Sequence, residues 1–173
     1  MRNFIVGILL ILAGLIVPSY TIVNKIQFEQ DCGGYLKQAA DANTIEIAKT
    51  ALSKAVSYIE EKGLTSGYTS IVYKTPDEDI SFWYNNLRNS LNELLAAPDD
   101  ISLLESSNIL LKLRETLTDD SQYGTQITVP NGISRYPNNT SICILNWISG
   151  LVLFICILAI WTVIEEYRKR WDY

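Results

Sequence analysis

The sequence predicts an all-α membrane protein: two transmembrane helices flank an extracytoplasmic antiparallel three-helix bundle, and an extended segment returns to the membrane. Three observations predict it. Two apolar runs, Phe4 to Val23 and Ile142 to Ile164, bracket the chain. The stretch between them is mostly polar. Within that stretch, apolar residues recur at alternating steps of three and four, the spacing of helices that bury one stripe. The division is 1–23 for the first span, 24–141 for the exported domain, 142–164 for the second span and 165–173 for a cytoplasmic tail.

The spans come first. A bilayer core ~30 Å thick needs about 20 apolar residues at ~1.5 Å each, and both runs meet that length. No charge interrupts Ile142 to Ile164, and Trp147, Trp161, Tyr167 and Trp171 suit the aromatic belts at a membrane surface. The first run also has features of a secretory signal, with Arg2 ahead of it and Val17 and Ser19 as a weak cleavage site over residues 1–19. Apolar character resumes at Ile22 and Val23 and no A-x-A occurs, which favours an uncleaved anchor. Arg168, Lys169 and Arg170 follow the second span, and Arg2 precedes the first. On the other side only Lys25, Lys37 and Arg135 lie close to a span end. The bias sets both termini in the cytoplasm and residues 24–141 in the periplasm, a lumen or the cell exterior. Glu165–Lys169 and Glu166–Arg170 are four apart and acid-first, so the second helix should continue beyond the bilayer.

The exported domain follows. Asn24 to Lys37 reads as a stalk, with a hinge at Gly33-Gly34. From Thr44 to Lys62 the apolar seam is Ile45, Ala48, Leu52, Ala55 and Ile59, and Gly63 stops the helix. Gly63 to Lys74 reads as a loop or short extended piece. Thr75 as cap, Pro76 at the first helical position and Glu78 completing a capping box start the next helix. Its seam is Ile80, Tyr84, Leu87, Leu91 and Leu94, and Ala97-Pro98 ends it. A third helix starts at Asp99-Asp100, with Leu103, Leu110, Leu113 and Leu117 along its seam and Leu104 and Leu111 widening the apolar face, to near Asp119. Three such helices with short links pack antiparallel. Pro130, Gly132, Pro137, Asn138 and Asn139 exclude a regular helix from Gly124 to Ser141, leaving an extended return.

Catalytic chemistry is hard to place. The chain has no histidine, which removes Ser-His-Asp and Cys-His systems and histidine metal sites. No Gly-rich phosphate loop follows a strand, and Cys32 lacks a CxxC partner. No enzyme, cofactor or metal is expected. The 24–141 segment carries 16 acids against 10 bases. That excess disfavours nucleic acid and suits a basic protein partner.

Four groups of residues stand out. With alternating helix directions, Glu60, Glu61, Asp77, Glu78, Asp79, Asp119 and Asp120 converge at the membrane-distal tip. Of these, Glu60, Glu61, Asp77, Asp79, Asp119 and Asp120 are the partner-binding candidates, and Glu78 is assigned to the cap. Phe82 and Trp83 cannot both share the face of Tyr84, so at least one lies at the bundle edge as a second partner-binding candidate. Cys32 and Cys143 share the oxidising side, where a disulfide can form between them, whereas Cys156 lies inside the second span. Gly7, Gly14, Ser149 and Gly150 are small residues through which the spans can pack.

The leading functional reading is a non-catalytic, membrane-anchored accessory or interaction subunit. An extracytoplasmic sensor passing its signal to another protein is the second; in outline alone, such a bundle resembles the sensing modules of bacterial chemoreceptors. A hairpin subunit of a homo-oligomeric channel is the third, disfavoured by spans without internal charge.

Overall fold

A computed structural model describes residues 2–69, 74–98, 100–121, 124–134 and 140–171. It is mostly helical and divides into two compact units, Met1–Val23 with Asn139–Tyr173, and Asn24–Asn138.

The first unit pairs helix α1 (Arg2–Phe28) with the last helix of the chain, Thr140–Trp171. Both are long and apolar enough to cross a membrane. The apolar helical stretch runs over Leu10–Ala40, but Lys25, Glu29, Asp31 and Lys37 fall in its second half, so its lipid-compatible part precedes Lys25. Large apolar side chains such as Leu12, Ile16 and Ile22, and Leu151, Ile157 and Trp161, point outward. A pair of helices in water would turn such residues toward each other.

Pro18 lies inside α1. Proline has no N–H, so the carbonyl four residues earlier, that of Gly14, loses its helical donor. The Ser149 hydroxyl donates to that Gly14 carbonyl, from a buried position on the partner helix. Gly14 also permits the approach, since a Cβ there would stand 2.9 Å from Leu153 Cγ. Thr21 is likewise buried, and its hydroxyl donates to the Pro18 carbonyl at 2.8 Å. Of the four small residues singled out from the sequence, Gly14 and Ser149 meet at this contact. A Cβ at Gly7 or Gly150 would meet nothing within 4 Å. Ser149→Ala should therefore weaken the helix pair by about 1 kcal/mol, the usual scale for such bonds in membranes. In a Pro18→Ala background, where the backbone donor is restored, the same change should cost little. A double-mutant cycle on detergent denaturation measures the difference.

Among the described residues the second unit has four α-helices where the sequence predicted three. The supposed stalk is part of the core. After α1 the helix passes through a π-turn, Glu29–Gly33, into α2 (Gly34–Ala40), and Phe28, Cys32, Leu36, Ala39 and Ala40 are buried. Gly33 and Gly34 keep right-handed helical angles, so the helical path continues through them without a break. The heptad count missed this segment because its buried residues are small and a π-turn interrupts their period.

α3 (Ile45–Glu61) follows its sequence seam, burying Ala48, Leu52, Ala55 and Ile59, with Ala51 and Val56 added. Thr44 caps it, accepting from the Ile47 amide. Gly63, at φ +67°, ends it, and the Leu64 amide reaches back to the Ile59 carbonyl at 2.8 Å while Leu64 itself is buried. That bond and apolar contact are the signature of a left-handed glycine stop. α3 runs antiparallel to α2: the Phe28 and Tyr58 rings meet edge-on with centroids 6.1 Å apart. The Glu60–Glu61 end therefore lies beside the residue at which the chain enters this unit. Within the unit, this is opposite to the α3 direction assumed from the sequence.

α4 (Ile80–Ala96) and α5 (Leu103–Leu117) complete the helical layer. Ser102 caps α5, and Asp99 lies outside the described residues. Leu113 and Leu117 are buried, while Leu103 is 89% and Leu104 74% exposed. The Lys112–Glu93 ion pair fixes the offset: at ~1.5 Å per residue, the first turn of α5 projects past the end of α4 and has nothing to pack on.

The return segment is more regular than predicted. Two strands, β1 (Thr118–Ser121) and β2 (Gly124–Ile127), form an antiparallel hairpin with Thr118 opposite Ile127. A turn follows and Ile133 is buried in the core. Residues 135–139 of the expected return lie outside the described residues, as do residues 70–73 of the Gly63–Lys74 loop, and Thr140 and Ser141 already belong to the last helix.

The helix from Thr140 to Trp171, α6 from here on, continues past Ile164 as its charge pairs predicted.

Candidate functional site

The start of α4 builds the site. Gly67 to Thr69 runs alongside Glu78 to Ile80: the Thr69 amide donates to the Glu78 carbonyl and the Ile80 amide to the Gly67 carbonyl. This pairing holds Asp79 extended, so the helix cannot begin at Pro76. Pro76–Glu78 is a single 3₁₀ turn, and Thr75 makes no side-chain cap. Asp79 caps α4 instead, its Oδ1 accepting from the Ser81 amide at 2.8 Å and the Phe82 amide at 3.4 Å. The Thr75–Glu78 capping box is thus corrected, and Glu78 is released from that role.

Helix α4 buries Trp83, not Tyr84, at the centre of its face. Trp83 is 6% exposed, and its Nε1 donates to the Thr128 carbonyl at 2.9 Å, joining α4 to the segment after β2. A buried indole needs such an acceptor. Of the two aromatic residues, at least one of which was expected at the bundle edge, Trp83 is the core residue. Phe82, 64% exposed, keeps the edge position. Tyr84 is half-buried at the rim, donating to Glu60 Oε1 at 2.7 Å, and that hydrogen bond raises its pKa.

Between the start of α4 and the segment after β2 lies a cavity of about 650 Å³. Asp77, Glu78, Asp79 and Asp119 line it with Phe82, Trp83 and Thr128. Among the described residues, no lysine or arginine lines it. Glu78 Oε2 and Thr128 Oγ1 are shielded from water and have no hydrogen-bond partner. Such acceptors are costly to leave unmade.

Several candidates fall elsewhere. Glu60 pairs with Arg88 at 2.9 Å on an exposed face, and Glu61 is exposed without lining the cavity. Asp120 pairs with Thr125 through the hairpin register, and its side chain lies outside the described residues. Sequence reasoning missed Glu78 as a lining group because it had been assigned to the cap. It also missed Thr128 to Asn131, which carry no signal beyond Pro130. No group of His, Cys, Asp and Glu that could hold a metal occurs among the described residues.

Cys32, Cys143 and Cys156 are free cysteines, and Cys32 and Cys143 belong to different units. Cys32 is fully buried in the second unit's core. Burial, with a smaller contribution from the Glu29 charge, pushes its pKa up to about 12. A thiol so held is protonated at neutral pH and inert, since the thiolate is the reactive form.

No protein-family model, curated protein or solved structure matches this chain.

Proposed function

We propose that the chain is a non-catalytic, membrane-anchored interaction subunit. α1 and α6 cross the membrane, the Asn24–Asn138 unit stands outside the cytoplasm, and the acid-lined cavity at the start of α4 receives a basic region of a protein partner. The cavity carries this reading: four carboxylates and an exposed phenylalanine converge on one concavity with no described lysine or arginine lining it. A field of one sign speeds encounter with an opposite charge and orients it. Phe28 and Glu60–Glu61 lie at the same end of the unit as the start of α4. The topology rests on the Arg168-Lys169-Arg170 cluster. Protease-sensitive tags on both termini should survive protease added to intact cells; loss of either tag reverses the orientation.

The contact itself is tested by changing Asp77→Asn, Glu78→Gln and Asp119→Asn together. Asp79 is spared as the cap of α4 and Glu60 as the partner of Arg88. The variant should keep its helical spectrum and melting temperature. It should lose, most clearly at low salt, the basic proteins that co-purify with the native chain from solubilised membranes. Unchanged capture at low salt would remove the cavity from the interface.

A further inference from the structure

The π-turn at Glu29–Gly33 sits where α1 meets the core, and the sequence explains why it is there. On a regular helix, at about 100° per residue, Glu29 would lie within about 20° of Leu36 and so in the middle of the buried face. Phe28 would lie about 80° away, at its margin. The structure has the reverse: Phe28 is 3% exposed and Glu29 is exposed. A π-turn is a one-residue expansion of the helix, which gives each residue before it the angular place of its successor. It thereby puts Phe28 against Tyr58 and turns the carboxylate out. The Glu29 side chain then lies over Gly33, where a Cβ would stand 2.7 Å from Oε2, and a Cβ at Gly34 would stand 3.2 Å from the Glu29 carbonyl. Glycine at both positions leaves room for the expanded turn.

We propose that residues Phe28 to Gly34 form a two-register device, in which this turn exchanges between the π form and a regular helix. In the regular form Glu29 replaces Phe28 at the core. By covalent geometry the preceding helix turns by about 100° about its own axis and advances by ~1.5 Å. The π form is the ground state, because the other buries a carboxylate and exposes a phenyl ring. Rotation of α1 and the state of the core beside Tyr58 are coupled through this one turn, independently of what the acid-lined cavity binds.

Hydrogen exchange on the full chain in lipid nanodiscs tests this. The amides of Glu29 to Gly33 should exchange at least about tenfold faster than those of Leu52 to Ile59 in α3, against which the turn packs, because they open without global unfolding. Glu29→Leu makes the regular register favourable and should slow them to the α3 rate. Deleting Gln30 removes the extra residue and should leave a folded domain with similarly slow exchange. Equal rates in the native chain, or no slowing in Glu29→Leu, would overturn the proposal. So would a Gln30 deletion that abolishes folding, since the regular register would then not be an accessible state.

Discussion

Replacing Leu36 with alanine is expected to destabilise the Asn24–Asn138 unit by about 2–5 kcal/mol, the range for a buried leucine whose site cannot collapse. Leu36 is fully buried in α2, within the same core as Cys32, Leu52 and Ile59. Stability of a small domain totals only about 5–15 kcal/mol, so the loss should show as a clear fall in melting temperature of the full chain in detergent. The result separates two architectures. If residues 24–37 were a stalk, truncating Leu36 would leave the melt unchanged. Leu103→Ala is the internal control: its side chain is almost wholly exposed, and its removal should change stability by no more than about 0.5 kcal/mol.

Trp83→Ala should cost a comparable amount, about 3–5 kcal/mol. It removes the largest buried side chain of α4 and strands the Thr128 carbonyl that accepts from Nε1. Trp83→Phe separates the contributions. It keeps much of the apolar contact and loses the hydrogen bond, so it should recover most of the stability and leave a deficit of roughly 1–2 kcal/mol. Phe82→Ala, one residue away, should leave the melt nearly unchanged, since that ring is mostly in solvent. Equal losses at positions 82 and 83 would mean that the register of α4 is wrong.

Those two neighbours also show how much the sequence could disclose. The steps from Ile80 through Tyr84 to Leu87 fit a helical stripe, but so do the steps through Trp83. Periodicity alone cannot choose between adjacent positions when both are aromatic. The choice is made by a carbonyl 45 residues away in sequence, which no local pattern encodes. Long, regular signals were legible: the two apolar helices, the α3 seam with its glycine stop, and the approximate extents of α4 and α5. The α4 cap was misread because Thr75-Pro76-Asp77-Glu78 satisfies the local motif, whereas the chain at Gly67–Thr69 pins Asp79 extended and moves the start. In α5 the leucine pattern was real, but packing depends on how far the helix slides along α4, an offset marked by the Lys112–Glu93 pair and not encoded in the local pattern. The acid-lined cavity was half legible. Asp77, Asp79, Asp119 and Phe82 were singled out and share it, while Glu60 and Glu61 lie at the same end of the unit but on the rim that Tyr84 and Arg88 face, outside the cavity.

The shared hydrogen bond between the apolar helices bears on how the chain is made. Translation delivers α1 first, with a proline that leaves the Gly14 carbonyl unserved, and α6 only after the whole intervening domain has emerged. If α1 enters a membrane as proposed, an unserved carbonyl in hydrocarbon costs several kcal/mol. On that proposal the first helix is an incomplete structure during the interval and needs a surrogate donor: water, the insertion machinery or another protein. Arrival of Ser149 ends that dependence. A nascent chain truncated before α6 should therefore stay associated with the insertion apparatus, and the complete chain should be released from it.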